Sequence, residues 1–241
     1  MMDEFSRTER LLGRDGMRRL AQSRVAVFGV GGVGSYVAEA LGRSGVGTLD
    51  LVDHDKVSIT NINRQIMALH STLGKIKVDV MKDRLLDINP ELVVNTYDCF
   101  YDASNQDAFP FEKYDYIVDA VDTVTAKLLL IEHACKYRVP VISCMGVGNK
   151  LNPHQLEITD IGKTSVCPLA RVMRKELKAR GIKKCKVLYS KEPPAVLNEV
   201  DLKESTGRHP VPGSIAFVPS VAGLMIAGEV IRELSGINER R

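Results

Sequence analysis

The chain lacks paired cysteines, an apolar leader, an internal repeat and any strong excess of one charge. Its five cysteines, Cys99, Cys135, Cys144, Cys167 and Cys185, form no CxxC pair. An odd, scattered set argues against a disulfide framework and a four-cysteine zinc site, so no zinc is expected and a reducing cytoplasm is the expected location. The opening MMDEFSRTER is charged from its third residue onward, which argues against a secretory signal. A net charge of +3 announces neither nucleic acid nor membrane by itself. One uncharged run, residues 210–228, approaches the length of a bilayer-crossing helix. Pro210, Pro212, Gly213 and Pro219 divide it, which predicts a strand at 214–218 and a helix continuing into Glu229, Arg232 and Glu233; no membrane partner is expected. What is present, 241 residues of which 44% are hydrophobic, suffices to bury a sizeable core.

Residues 24–28 are a short β-branched and apolar run ending in glycines, and 32–43 follow with small and apolar residues at helical spacing, so the pattern predicts strand, turn and helix. Strands are likewise expected at 47–52, from 92 onward, at 114–121 and at 140–144. Helices are expected at 125–137 and at 73–88, where Val78, Met81, Leu85 and Ile88 share a stripe before Asn89-Pro90. Residues 155–159 alternate and predict an antiparallel strand. From Thr164 a basic helical segment and a Pro-rich polar stretch, 191–212, interrupt the rhythm. The expected fold is α/β: a Rossmann-like doubly wound, mainly parallel sheet continued by antiparallel strands, with a basic helical insertion.

Gly29, Gly31, Gly32 and Gly34 form GxGxxG at a strand-to-helix junction, where backbone N–H groups and the positive helix end can receive a polyphosphate. The alternative is a tight turn with no ligand. Asp53 ends the second strand, where a carboxylate can accept from a ribose; these residues alone allow both NAD and ATP. The segments Asp53-His54-Asp55-Lys56-Val57, Asn61-Ile62-Asn63-Arg64-Gln65, Gly74-Lys75-Ile76-Lys77 and Asp119-Ala120-Val121-Asp122 add fixed cations, Arg64 and Lys77. They also add Asp122, a carboxylate suited to magnesium. Hydride transfer needs no such set, whereas cleavage of a nucleoside triphosphate does. Singly, Arg64 and Lys77 also read as solvated charges and Asp122 as a helix cap.

This ordered set resembles the ubiquitin-activating-enzyme-like superfamily of adenylyltransferases, which includes the molybdopterin-synthase and thiazole-biosynthesis activating enzymes. The resemblance implies one adenylation domain over 1–241, with a nucleotide-binding half at about 20–150 and a substrate-binding half at about 151–241. It implies ATP and magnesium as cofactors, with Gly29, Gly31, Gly32, Gly34, Asp53, Asp55, Asn61, Arg64, Gln65, Lys77 and Asp122 holding the nucleotide and Asp122 supporting the metal. The catalytic set it implies is Arg10, Arg64, Lys77 and Asp122, with Arg10, rather than Arg7, reaching across a homodimer to the other subunit's phosphates.

Members that activate sulfur carriers commonly carry two CxxC pairs, and this chain departs from them. Cys167 precedes Pro168-Leu169-Ala170 with no partner, and reads as a buried thiol before a nucleophile. Between Arg171 and Lys191 stand Arg171, Arg174, Lys175, Lys178, Arg180, Lys183, Lys184, Lys186 and Lys191 against one acid, Glu176. Such density suits a phosphate backbone; an ordinary solvated helix is the alternative. The lost zinc site, Cys167 to Arg171 and Tyr189-Ser190-Lys191-Glu192-Pro193-Pro194 together resemble the tRNA threonylcarbamoyladenosine dehydratase branch. That branch implies ATP-dependent cyclisation of an adenosine adduct beside the anticodon, tRNA contacts from Arg171, Arg174, Lys175, Lys178, Arg180, Lys183, Lys184 and Lys186, and room for a cysteine-desulfurase or sulfur-acceptor partner.

Overall fold

The structure is a computed structural model that describes residues 3–198 and 212–237. Its helices are α1 (Ser6–Gln22), α2 (Gly34–Arg43), α3 (Lys77–Ile88), α4 (Val124–Tyr137), α5 (Pro168–Ala179) and α6 (Phe217–Ser235). Its strands are β1 (Arg24–Phe28), β2 (Thr48–Val52), β3 (Val93–Tyr97), β4 (Tyr116–Asp119), β5 (Val141–Cys144), β6 (Leu156–Asp160) and β7 (Lys186–Ser190). One sheet runs β3-β2-β1-β4-β5-β7-β6. Its pairings are parallel except β6 with β7, which continues the sheet in the antiparallel sense.

Successive strand residues point to opposite faces, and both faces of this sheet are covered. Val25 and Val27 join a core shared with α2, α3 and α6 through Val37, Leu41, Met81, Leu85 and Ile226. Ala26 and Phe28 turn the other way, onto Leu130 and Ala134 of α4 and an aromatic group that includes Phe109 and Phe111. Leu128 and Ile131 then join α4 to Met173 and Leu177 of α5. Burial on two sides explains why β1, β2 and β4 read as near-continuous apolar runs. After β3 the chain crosses back to β4 on the other side of β1, and that reversal opens a crevice at the carboxyl ends of β1 and β4.

Three local expectations change. The helix expected at 73–88 starts only at Lys77, because Gly74 takes a φ of +78° and Ile76 is still extended, bridging to Lys56. β7 emerges from the basic stretch, where Lys186 and Lys191 bracket a buried Val187, Leu188 and Tyr189. The strand expected at 214–218 is absent: 212–215 have no regular structure and α6 begins at Phe217. A short apolar run does not distinguish strand from helix, and Pro219 sits in the first turn, where its missing N–H costs nothing. Residues 199–211 of the Pro-rich stretch lie outside the described residues. No helix among the described residues is long and apolar enough to cross a membrane.

Candidate active site at the carboxyl edge of the sheet

The glycine loop that ends β1 forms one wall of a cavity of about 640 Å³. Gly29 adopts a φ of +87°, and a Cβ there would lie 2.5 Å from the Ala120 carbonyl oxygen, so only glycine lets the loop abut the end of β4. Gly31 and Gly32 line the cavity. Gly34 does not: its Cα packs on the Gly29 carbonyl, and a Cβ would sit 1.8 Å from that oxygen. Its role here is to close the turn into α2. Asp53 braces the loop, one carboxylate oxygen accepting from Val30 N at 2.7 Å and the other from Asp55 N at 2.9 Å.

The polar residues expected in the nucleotide site converge on this cavity: Asp53, Asp55, Asn61, Arg64, Gln65, Lys77 and Asp122 all line it. Lys77, at the first turn of α3, is 4% exposed and donates to Asp55 Oδ2 at 2.7 Å. Arg64 lies along Gly32 and donates to the Thr60 carbonyl at 2.8 Å and Asn63 Oδ1 at 3.0 Å. Asn61 is buried, its Oδ1 accepting from Ser58 N at 3.0 Å. Asp122 is exposed on the turn that leaves β4. Asp53, His54 and Asp55 bring potential metal-ligating atoms within 4.8 Å of one another, but Asp53 and Asp55 already serve backbone N–H groups and Lys77. Gln65 Oε1 and Thr123 Oγ1 are buried without a hydrogen-bond partner, and both residues line the cavity. Buried polar atoms are rarely left so, and a polar ligand would satisfy them.

Other parts of the site escaped the sequence reading. His54 and Phe100 stand edge to face at 5.2 Å on the cavity wall and offer flat apolar surface to a planar base. Tyr101 also lines the cavity, and its hydroxyl shares a 2.8 Å hydrogen bond with His133 Nδ1. Burial holds the Tyr101 phenol above and the His133 imidazole below their ordinary values, which favours the neutral form of each. Beneath the cavity, fully buried Lys127 donates to both oxygens of fully buried Asp119 at 3.1 and 3.2 Å and to the Cys144 carbonyl at 2.6 Å. That pair ties the end of β4 to the end of β5, the two strands that lead into the cavity-lining Val121-Asp122 and Val147-Gly148. Its sequence signal is a lysine in an otherwise apolar helical stretch, eight residues after an aspartate that closes a buried strand. The outer wall is a knot between Asn149 and Gly213: Asn149 N donates to the Gly213 carbonyl at 2.8 Å, and Gly213 N to Asn149 Oδ1 at 2.6 Å.

Arg10 lies apart from its own cavity. It is exposed on the first part of α1, before a kink at Gly13 (φ +73°), and is not among the residues that line the cavity.

The basic segment divides in two. Arg174 donates to the Thr164 carbonyl at 2.9 Å and Thr164 Oγ1 at 2.7 Å. Arg180 pairs with Glu132 at 3.0 Å and Glu176 at 2.7 Å, and Lys186 pairs with Glu229 and Glu233. Lys191 pairs with Glu157 at 2.8 Å. Arg171, Lys175, Lys178, Lys183 and Lys184 are exposed and make no such pair among the described residues. Cys167 is a buried thiol at the start of α5, its Sγ accepting from Ala170 N at 3.5 Å.

These features have close counterparts in known proteins. A tRNA threonylcarbamoyladenosine dehydratase of Bacillus subtilis strain 168 is 46% identical over 97% of this chain and 95% of its own length. Among solved structures, the E. coli tRNA N6-threonylcarbamoyladenosine dehydratase in complex with AMP superposes with a TM-score of 0.87 at 32% identity, covering 99% of this chain and 96% of that one. Its complex with ATP gives the same TM-score at 31% identity and the same coverage. The profile of the ThiF family matches residues 5–241, and with the glycine loop, the cavity and the sheet order in place, the chain belongs to the ThiF family.

Proposed function

We propose that this protein uses ATP to cyclise threonylcarbamoyladenosine in tRNA, beside the anticodon, with net loss of one water and through an acyl-adenylate. The observation that carries this reading is a single cavity holding the glycine loop, Arg64, Lys77 and Asp122, in a chain so similar along its length to a tRNA threonylcarbamoyladenosine dehydratase. A carboxylate oxygen of the threonyl group attacks the α-phosphorus of ATP, pyrophosphate leaves, and a mixed anhydride with AMP remains. A ureido nitrogen of the same group then bonds to the activated carbonyl carbon and releases its proton as the carbon–oxygen bond to AMP breaks. Because nucleophile and electrophile are tethered, geometry supplies much of the acceleration.

The protein's task is to hold the nucleotide and offset charge. Backbone N–H groups of the loop and the positive end of α2 receive phosphate, and Lys77 and Arg64 offset the charge that builds on the leaving pyrophosphate. His54 and Phe100 accept the adenine ring, and Gln65 Oε1 and Thr123 Oγ1 gain partners. Asp122 fits magnesium, being an exposed carboxylate at the cavity with no protein hydrogen bond among the described residues. When bound, the ion neutralises phosphate charge. The working unit is a homodimer in which Arg10 serves the partner's site; its exposure on α1, away from its own cavity, supports that arrangement.

The test is product release with defined substrates. Protein, ATP and magnesium with tRNA bearing threonylcarbamoyladenosine are expected to yield AMP and pyrophosphate. Stimulation by a ubiquitin-like carrier protein, with the tRNA inert, overturns the reading.

A further inference from the structure

The exposed cations of α5 belong to a larger surface. Arg171, Lys175 and Lys178 fall at i, i+4 and i+7, on the face of α5 opposite the buried Met173 and Leu177. Two other segments, the end of α4 and the turn that carries Lys163, flank that stripe. On one side, Arg180 reaches Glu132 of α4 at 3.0 Å, which brings the end of α4, with exposed Lys136 and Arg138, beside the end of α5. On the other, Arg174 grips Thr164, and Ile161 N donates to the Cys185 carbonyl at 2.8 Å, so exposed Lys163 lies next to the turn that carries Lys183 and Lys184. α4 and the stretch 161–185 contain one acid each, Glu132 and Glu176, and Arg180 pairs with both. The surface starts near the cavity: Cys167, at the beginning of α5, lies 3.8 Å from where a Cβ of Gly146 would stand, two residues from the cavity-lining Gly148. From there the twelve residues of α5 carry it over roughly 18 Å.

We infer that Lys136, Arg138 and Lys163, together with the exposed cations of α5 and the turn after it, form one continuous docking surface for the phosphate backbone of the tRNA. The inference rests on the tRNA reading above and extends it. The partner is an RNA backbone because cations outnumber acids on this surface, with Asp160, Asp107 and Glu112 at its borders, and because it spreads over three segments and leads away from a cavity that takes the reacting group. The internally paired Arg174, Arg180 and Lys186 hold this surface together and contact no phosphate.

The test uses the full chain and tRNA carrying threonylcarbamoyladenosine, with affinity measured by fluorescence anisotropy over a range of salt. The triple variant Lys136→Glu/Arg138→Glu/Lys163→Glu is expected to bind at least about tenfold more weakly at low salt. Its slope of log affinity against log salt should fall by about 2 to 3, as three phosphate contacts are lost. The KM for tRNA rises while ATP affinity and kcat at saturating tRNA hold. A control reversal elsewhere, Lys82→Glu on α3, leaves slope and affinity at the parental values. Parental slope and KM in the triple variant overturn the inference while leaving the tRNA reading intact. If the parent protein itself shows no salt-dependent binding of tRNA and no tRNA-stimulated AMP release, the tRNA reading has failed. Should the triple variant lose ATP binding as well, the single neutral variants Lys136→Gln, Arg138→Gln and Lys163→Gln decide: each is expected to lower the slope by about 1, and three unchanged slopes overturn the inference.

Discussion

In the cavity, Lys77 is buried against Asp55 and Arg64 is braced by Thr60 and Asn63, whereas along α5 Arg171, Lys175 and Lys178 project into solvent without a protein partner among the described residues. The two regions carry the same charge for different work. A triphosphate has a fixed shape and a reaction that concentrates charge at one place, so cations held in advance lose no freedom when it forms. An RNA backbone is long and solvated; mobile lysines follow it at little cost in ordering, and the gain comes from released counterions. Lys77 should therefore matter to rate, and the α5 cations to affinity and its salt dependence.

The sharpest way to separate the regions is to remove one cation from each. Lys77→Ala is expected to lower tRNA-dependent AMP release by roughly 10² to 10³, the scale for losing one charge-stabilising donor, with tRNA affinity kept within about twofold. A change in KM for tRNA alone would erase the distinction. In the proposed homodimer Arg10 joins the cavity group only through a partner. Arg10→Ala and Asp122→Ala should each be nearly inactive alone, and an equal mixture after subunit exchange should recover about a quarter of the parental activity, since half the dimers contain one intact site. No recovery after verified exchange removes Arg10 from the partner's site.

Smaller effects belong to the exposed side. Reversal of Lys178, Lys183 and Lys184 to Glu is expected to flatten the salt dependence of tRNA binding by about 2 to 3 in slope while calorimetric ATP binding is unchanged. Arg174 gives the opposite pattern, since it is basic in sequence and structural in place. Arg174→Ala should cost about 1 kcal/mol of stability, a fall in Tm of about 2–4 °C, with little change in tRNA slope. A slope change as large as that of an exposed lysine would move Arg174 into the docking set.

The cavity side was largely legible in sequence because its signals are local. A glycine loop after a buried strand, Asp53 just past the end of the next and Asp122 on the turn that leaves β4 all follow from the rule that open α/β sheets bind ligands at their carboxyl edge. What was not legible depends on pairing across the fold. Nothing near Arg174, Arg180 or Lys186 in sequence announces Thr164, Glu132 or Glu229, so all eight expected tRNA contacts looked alike. Lys136 and Arg138 lay too far away along the chain to be counted with them, and Lys163 stands just before the segment, separated from Arg171 by seven uncharged residues. β7 was hidden because its flanking lysines extend the basic pattern, and its buried residues acquire meaning only between β5 and β6. The pairing of Lys127 with Asp119 went unread for the same reason: each is a charge in an apolar run until the fold brings them within 3.2 Å.

The most direct test follows one turnover on one tRNA. Protein, magnesium and ATP labelled in the α-phosphate are incubated with tRNA bearing threonylcarbamoyladenosine, and AMP is counted against nucleosides recovered by mass spectrometry. The expected result is one AMP released for each modified nucleoside that loses one water, with no loss of water when ATP is omitted. AMP release with the nucleoside unchanged, or loss of water without ATP, would contradict it.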